Sequence, residues 1–122
     1  MIAYTTIGTA NIEKSKTFYL ALLQDMGVTV FIDTGRLAAL GSPSGGPMLA
    51  VCTPYNGEAP SPGNGNMVAI SPGSRELVDK LHAKALKLGG TDEGAPGQRM
   101  DGFYGGYFRD ADGNKICFCH FG

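Results

Sequence analysis

A chain of 122 residues is long enough to fold as one domain around its own hydrophobic core. Its formal net charge of −1 gives no basic excess for nucleic acid, and no apolar run approaches the roughly 20 residues that span a bilayer. The three cysteines (Cys52, Cys117, Cys119) are an odd number, and the chain begins with a predicted strand rather than an export signal. We therefore expect a cytoplasmic protein without a structural disulfide.

The first half of the chain predicts a strand, a helix and three further strands. The helix begins after Asn11, whose side chain suits an N-cap, and ends before Gly27, which suits a left-handed terminal residue. The predicted ranges are 3–9 for the first strand, 11–26 for the helix, and 28–33, 36–40 and 47–53 for the later strands.

The second half repeats this order with different residues. Its ranges are 66–71 for a strand, 74–88 for a helix capped by Ser74, and 104–109 and 114–121 for two strands. Residues 94–99 predict a loop, and Asp92 with Glu93 predicts a solvated acidic surface. The Pro- and Gly-rich residues 55–65 predict a linker between the halves.

This internal repeat determines the predicted architecture, because two copies are too few for a solenoid. We expect an α+β fold, a single domain over residues 1–122. It consists of two pseudo-symmetric βαβββ modules, at about 1–54 and 66–122, whose curved mixed sheets enclose a cleft. The residues that line the cleft should determine function.

Two segments carry a resemblance to a known family. They are residues 7–15 followed by Phe18 and Tyr19, and residues 108–116 around the turn Asp112-Gly113-Asn114. With these segments the chain resembles the vicinal oxygen chelate superfamily, which includes glyoxalase I, extradiol dioxygenases, fosfomycin-resistance proteins and bleomycin-binding proteins. Residues 74–79 and 94–99 are similar to a glyoxalase-like bacterial subgroup.

The resemblance implies one divalent metal in the cleft, bound by a histidine on the first strand of each half and a glutamate on a last strand. These positions fall on Tyr4, Met67 and Cys117, with a further position near Ala50. None of these residues is His, Asp or Glu, the ligands that such metals use. We therefore expect no metal, no other cofactor, and no metal-dependent glyoxalase I or dioxygenase activity.

The candidate ligand-binding residues are those expected on the cleft face. Tyrosine rings combine apolar area with a polar group, Arg99 suits an anionic group, and Cys117 and Cys119 share one face of a strand. His120 lies on the opposite face of that strand, and no base is predicted beside Cys117, so a buried small side chain is favoured over a nucleophile. The full set is Tyr4, Ala50, Cys52, Met67, Arg99, Tyr104, Tyr107, Cys117 and Cys119.

Three functions remain open from the sequence. The favoured one is a metal-free protein that binds a small organic molecule, as a homodimer that buries the apolar region 28–40. The alternative is a lyase, isomerase or dioxygenase-type enzyme with an atypical or metal-free site, in which Cys117 or Tyr4 acts chemically. The third is a structural or regulatory protein whose cleft is filled by its own side chains.

Overall fold

The same succession of elements occurs twice in the structure, a computed structural model that describes all 122 residues. The chain divides into two units, Met1–Pro62 and Gly63–Gly122. Unit 1 contains β1 (Tyr4–Gly8), α1 (Ile12–Leu22), β2 (Thr29–Asp33), β3 (Leu37–Gly41) and β4 (Met48–Cys52). Unit 2 contains β5 (Val68–Ile70), α2 (Arg75–Lys87), β6 (Thr91–Met100), β7 (Phe103–Arg109) and β8 (Lys115–Phe121). Each unit is therefore a βαβββ module.

Each unit forms one four-stranded mixed sheet. Sheet 1 has the strand order β1-β4-β3-β2, and sheet 2 has the equivalent order β5-β8-β7-β6. In each sheet the first strand pairs in parallel with the last strand of its unit, and the other pairs are antiparallel. The sheets are not closed into barrels, and the predicted α+β class of two repeated modules is confirmed.

Both helices begin where the sequence predicts. The Asn11 side chain accepts a hydrogen bond from the backbone N–H of Lys14, and Ser74 Oγ accepts one from that of Leu77, each at 3.1 Å. The first helix, however, ends at Leu22 and not at residue 26. Residues Gln24–Met26 form a 3-10 turn instead, and Gly27 follows it with a left-handed φ of 73°. The last turn tightens to hydrogen bonds of the i to i+3 type, as helix ends often do.

The predicted loop at residues 94–99 is wrong, because these residues belong to β6. Strand β6 lies at the edge of sheet 2, and its pairing with β7 shifts register at three places. Gly94 and Gly97 are paired with β7, and Pro96 lies between them where the register shifts. A proline is tolerated at an edge strand with bulges because no ladder hydrogen bond is lost there.

One face of each sheet packs against its own helix and forms the core of that unit. In unit 2 the fully buried residues of this face include Phe108, Ile116 and Phe118, which pack with Val78 and Leu81 of α2. We call the opposite face of each sheet its helix-free face. Neither helix has the length and apolar character that crossing a membrane requires.

Candidate functional site

The helix-free face of sheet 2 carries the two thiols that the sequence singled out. Cys117 lies directly opposite Tyr107 of β7 and Ala69 of β5, and Cys119 lies opposite Gly105. Side chains directly opposite one another on neighbouring strands point to the same side of a sheet. Cys117, Cys119 and Tyr107 therefore share the face that points away from the core residues Ile116 and Phe118.

Tyr107 is the centre of a group of charged side chains on this face. The guanidinium carbon of Arg99 lies 5.2 Å from the centroid of the Tyr107 ring, and Lys115 Nζ lies 5.3 Å from it. Both distances are within the range of a cation–π contact. The arrangement follows from the strand order, because Arg99, Tyr107 and Lys115 come from the adjacent strands β6, β7 and β8.

A second pair of charges lies at the end of the same face. Arg109 is directly opposite Lys115, and its Nη2 donates to Glu93 Oε1 at 3.0 Å. This hydrogen bond lowers the pKa of the Glu93 carboxyl below its ordinary value. Glu93 is exposed, as predicted for a solvated acidic surface, but it lies in β6 rather than in a loop and is paired with Arg109. The ion pairs of the structure do not include Arg99 or Lys115.

Cys117 is fully buried, and its environment makes the thiol unreactive. Burial, followed by the neighbouring Cys119, raises the pKa of the Cys117 thiol from 9.0 to about 11. The Tyr107 side chain and the charge of Arg99 act in the opposite direction, but their effect is smaller. At neutral pH the thiol is protonated, so it offers a small, soft, uncharged surface rather than a nucleophile.

His82 supports this region from the helix side. It is buried, and its Nε2 lies 3.1 Å from Asp92 Oδ1 and 3.0 Å from the Tyr107 carbonyl oxygen. Because both neighbours are acceptors, Nε2 carries the proton and donates to them. His82 therefore connects α2 to β6 and β7 at Tyr107, a structural role, and its partner Asp92 remains exposed.

Tyr104 is not brought together with Tyr107. Its hydroxyl donates to Asp79 of α2, and its ring lies 5.1 Å from the guanidinium carbon of Arg75. The hydrogen bond to Asp79 raises the pKa of the Tyr104 hydroxyl. Positions 104 and 107 are an odd number of residues apart on one strand, so their side chains point to opposite faces. The two-residue alternation of a strand separates the two tyrosines already in the sequence. Tyr104 and Tyr107 could therefore not both have been expected on the face that carries Cys117.

Lys115 belongs to the group on the helix-free face and is not among the residues predicted from the sequence. It begins β8 two residues before Cys117, and it is half-buried against the Tyr107 ring. The same two-residue alternation that places Cys117 and Cys119 on one face also places Lys115 there. The two-residue spacing of Lys115 from Cys117 is therefore the signal in the sequence that places Lys115 on this face.

The candidates of unit 1 share the helix-free face of sheet 1. Tyr4 is exposed opposite Met48, Ala50 is buried between Thr6 and Ala39, and Cys52 is half-buried between Gly8 and Leu37. On β1 and β4 the polar groups of this face are the hydroxyls of Tyr4 and Thr6 and the thiol of Cys52. It contains no carboxylate or imidazole at the predicted positions.

The residues at the metal-ligand positions of the family do not fit a divalent ion. Tyr4 and Ala50 in unit 1, and Met67 and Cys117 in unit 2, supply a phenol, a methyl group, a thioether and a protonated thiol. Such ions need carboxylate, imidazole or thiolate donors in a group. No group of three or more His, Cys, Asp or Glu side chains in the structure is arranged to hold a metal.

Comparisons with known proteins agree on the family. The chain is similar to a crystal structure of a glyoxalase/bleomycin resistance protein from Albidiferax ferrireducens, with 36% identity, coverage of 100% of this chain and 99% of that chain, and a TM-score of 0.89. It shares its fold with a glyoxalase/bleomycin resistance protein/dioxygenase family enzyme from Burkholderia phytofirmans, with 20% identity, 96% and 95% coverage and a TM-score of 0.80. A glyoxalase-related enzyme from Fulvimarina pelagi also shares the fold, with 21% identity, 98% and 86% coverage and a TM-score of 0.78.

A search of curated proteins gives no match to this chain. The family model that matches is that of the Glyoxalase/Bleomycin resistance protein/Dioxygenase superfamily, over residues 1–118. Together with the repeated βαβββ modules, this match covers both units. The chain belongs to the Glyoxalase/Bleomycin resistance protein/Dioxygenase superfamily.

Proposed function

We propose that this protein binds a small organic molecule without a divalent metal. The observation that carries the proposal is the helix-free face of sheet 2, where a half-buried Tyr107 ring contacts two cations that form no ion pair within the protein. Ligand sites in proteins combine apolar surface with a few polar groups in this way. The donor set at the family's metal positions supports binding that does not use a metal.

The alternative of an enzyme with Cys117 as nucleophile has less support. A nucleophilic cysteine needs a depressed pKa or an adjacent base. The pKa of Cys117 is instead raised to about 11, and the nearby imidazole of His82 is on the opposite side of the sheet, engaged with Asp92. The binding function therefore remains the better proposal, and a cytoplasmic location stays a prediction.

Native mass spectrometry of the purified protein tests the binding function. We expect a fraction of the protein to carry one small organic molecule that denaturation releases, and elemental analysis to find no stoichiometric divalent metal. Ala69→Trp should remove the bound mass, because Ala69 is exposed directly opposite Cys117 and an indole there covers the face. Ala83→Trp, at an exposed position of α2, is the matched control and should retain it.

Two outcomes would contradict this function. Stoichiometric metal in the wild-type protein would show that the donor positions are misassigned. A protein that carries no bound mass, and that binds no member of a fragment library in ligand-observed NMR, would show that the face is not a binding site. Equal loss of the bound mass in both tryptophan variants would place the ligand elsewhere.

We also propose that the protein is a homodimer that uses the region 28–40. Strand β2 is the edge strand of sheet 1, all five of its residues are exposed, and Phe31 and Ile32 are 50% and 48% exposed. The only charged residue of β2 is Asp33 at its end, which is paired with Lys16, so the apolar part of this edge strand favours pairing with another chain. A second copy of this chain would bury these side chains.

Analytical ultracentrifugation at micromolar concentration tests the dimer. We expect a particle of twice the 12.8 kDa chain mass, and Phe31→Glu should dissociate it because a carboxylate is costly to bury. Phe121→Glu, which changes a phenylalanine that is 69% exposed on sheet 2, should leave the dimer intact. Sedimentation of the wild-type protein only as a monomer would refute the dimer.

A further inference from the structure

We infer that the helix-free face of sheet 2 binds the anionic group of its ligand, a carboxylate or phosphate on a small organic molecule, through Arg99 and Lys115. This inference rests on the proposed binding function and names the class of ligand.

The face has an excess of positive charge in a chain whose formal net charge is −1. Strands β6–β8 place Arg99, Arg109 and Lys115 on it, against the single carboxylate of Glu93. Arg109 and Lys115 are directly opposite each other, an arrangement that is unfavourable for like charges. Glu93 compensates Arg109 by a hydrogen bond of 3.0 Å and also feels the charge of Lys115, so one carboxylate faces two cations and Arg99 has no ion-pair partner. A bound anion would supply the missing charge.

The guanidinium of Arg99 is held in a defined seat. Nη2 donates to the Ala95 carbonyl oxygen, and the group lies 5.2 Å from the Tyr107 ring centroid. Two glycines of β6 leave the space for it: a Cβ at Gly94 would lie 3.4 Å from Nη2, and a Cβ at Gly97 would lie 3.2 Å from Nη1. Only one of the five N–H donors of the guanidinium has a hydrogen bond within the protein, so others remain for a ligand.

The two cations suit an oxyanion. A guanidinium presents parallel N–H donors that match the two oxygens of a carboxylate or phosphate, and an ammonium adds a point charge. The Tyr107 ring contacts both cations without neutralising them. The thiols of Cys117 and Cys119 on the same face are buried, so the half-buried Tyr107 ring offers the apolar surface for the organic part of the ligand.

NMR titration of ¹⁵N-labelled protein tests the inference with benzoate and phenyl phosphate as anionic probes and benzamide as the neutral isostere of benzoate. We expect both anions to bind more tightly than benzamide, with shifts at residues of β6–β8. Arg99→Gln and Lys115→Gln should each weaken benzoate binding by about tenfold or more, as expected when a hydrogen bond to a charged group is lost. The ratio of the two anion affinities distinguishes carboxylate from phosphate.

Two variants separate a built site from general charge attraction. Arg36→Gln is the matched control, because Arg36 also lies over a tyrosine ring, 5.4 Å from that of Tyr55, and also donates to a backbone carbonyl. It should leave benzoate affinity unchanged. Gly97→Ala keeps every charge but displaces the Arg99 guanidinium, and it should weaken benzoate binding severalfold.

The inference and the binding function fail in different ways. Equal affinities for benzoate and benzamide, both unaffected by Arg99→Gln, would refute the anion site and leave the binding of organic molecules intact. A loss in Arg36→Gln equal to that in Arg99→Gln would also refute it, as would a neutral molecule bound in the wild-type protein. The absence of any bound molecule in the native protein and of any probe binding would refute both.

Discussion

Replacing Phe118 with alanine is expected to lower the free energy of unfolding by about 3–5 kcal/mol, the cost typical of removing a buried phenylalanine ring. Phe118 is 0% exposed on the helix-covered face of sheet 2. Its ring stacks on that of Phe108, with centroids 5.8 Å apart and an interplanar angle of 26°. The variant loses this contact and leaves a cavity between α2 and the sheet. Urea denaturation followed by circular dichroism measures the change.

Phe121→Ala is the matched control for this experiment. Phe121 lies on the same strand but three residues further, so its side chain points to the opposite face, where it is 69% exposed. We expect its loss to cost less than about 1 kcal/mol, since only an exposed contact with the Phe103 ring is removed. Similar costs for the two variants would show that the faces of sheet 2 are assigned incorrectly.

Much of the fold was predictable because its signals are local. The N-caps at Asn11 and Ser74 depend on a side chain that bonds three residues ahead, and the helices depend on a periodicity of one turn. The order of elements, repeated in each half, then indicates two βαβββ modules without knowledge of any long-range contact. The resemblance to the family rests on the same local segments.

Strand β6 could not be predicted in this way. Its residues are polar or small, it contains Gly94, Pro96 and Gly97, and it is held mainly by pairing with β7 at irregular register. Alternation of apolar residues is absent because the strand forms an exposed edge. The roles of Asp92 and Glu93 depend on contacts with His82 and Arg109, which are ten and sixteen residues away in sequence.

The placement of the candidate residues on one face follows in part from the sequence. Placing Cys117 and Cys119 on one face follows from strand alternation, and the structure adds Tyr107 and Arg99 to that face through register across strands. The alternation of side chains along β8 also predicts Lys115 on this face, and the alternation along β7 excludes Tyr104 from it. Strand order and bulges, which the sequence does not specify, determine that Arg99 reaches the Tyr107 ring.

The thiol of Cys117 is expected to react with iodoacetamide about 100-fold more slowly near neutral pH than an ordinary cysteine. Burial raises its pKa from 9.0 to about 11, and two pKa units reduce the thiolate fraction about 100-fold. Because the folded state holds this proton more tightly than the unfolded chain, the associated stability is present below pH 9 and is lost as the pH rises toward about 11. The alkylation rate should therefore rise with pH throughout the range in which an ordinary thiol has already levelled off.

Peptide mass spectrometry that separates Cys117 from Cys119 measures this rate as a function of pH. The same protein in denaturing urea is the matched reference, and there Cys117 should show a midpoint near the ordinary value of about 8.5. A midpoint for the folded protein well below about 8 would contradict the prediction, because it would require an activating charge that burial and Cys119 do not supply. It would also favour an enzyme with Cys117 as nucleophile over the proposed metal-free binding protein.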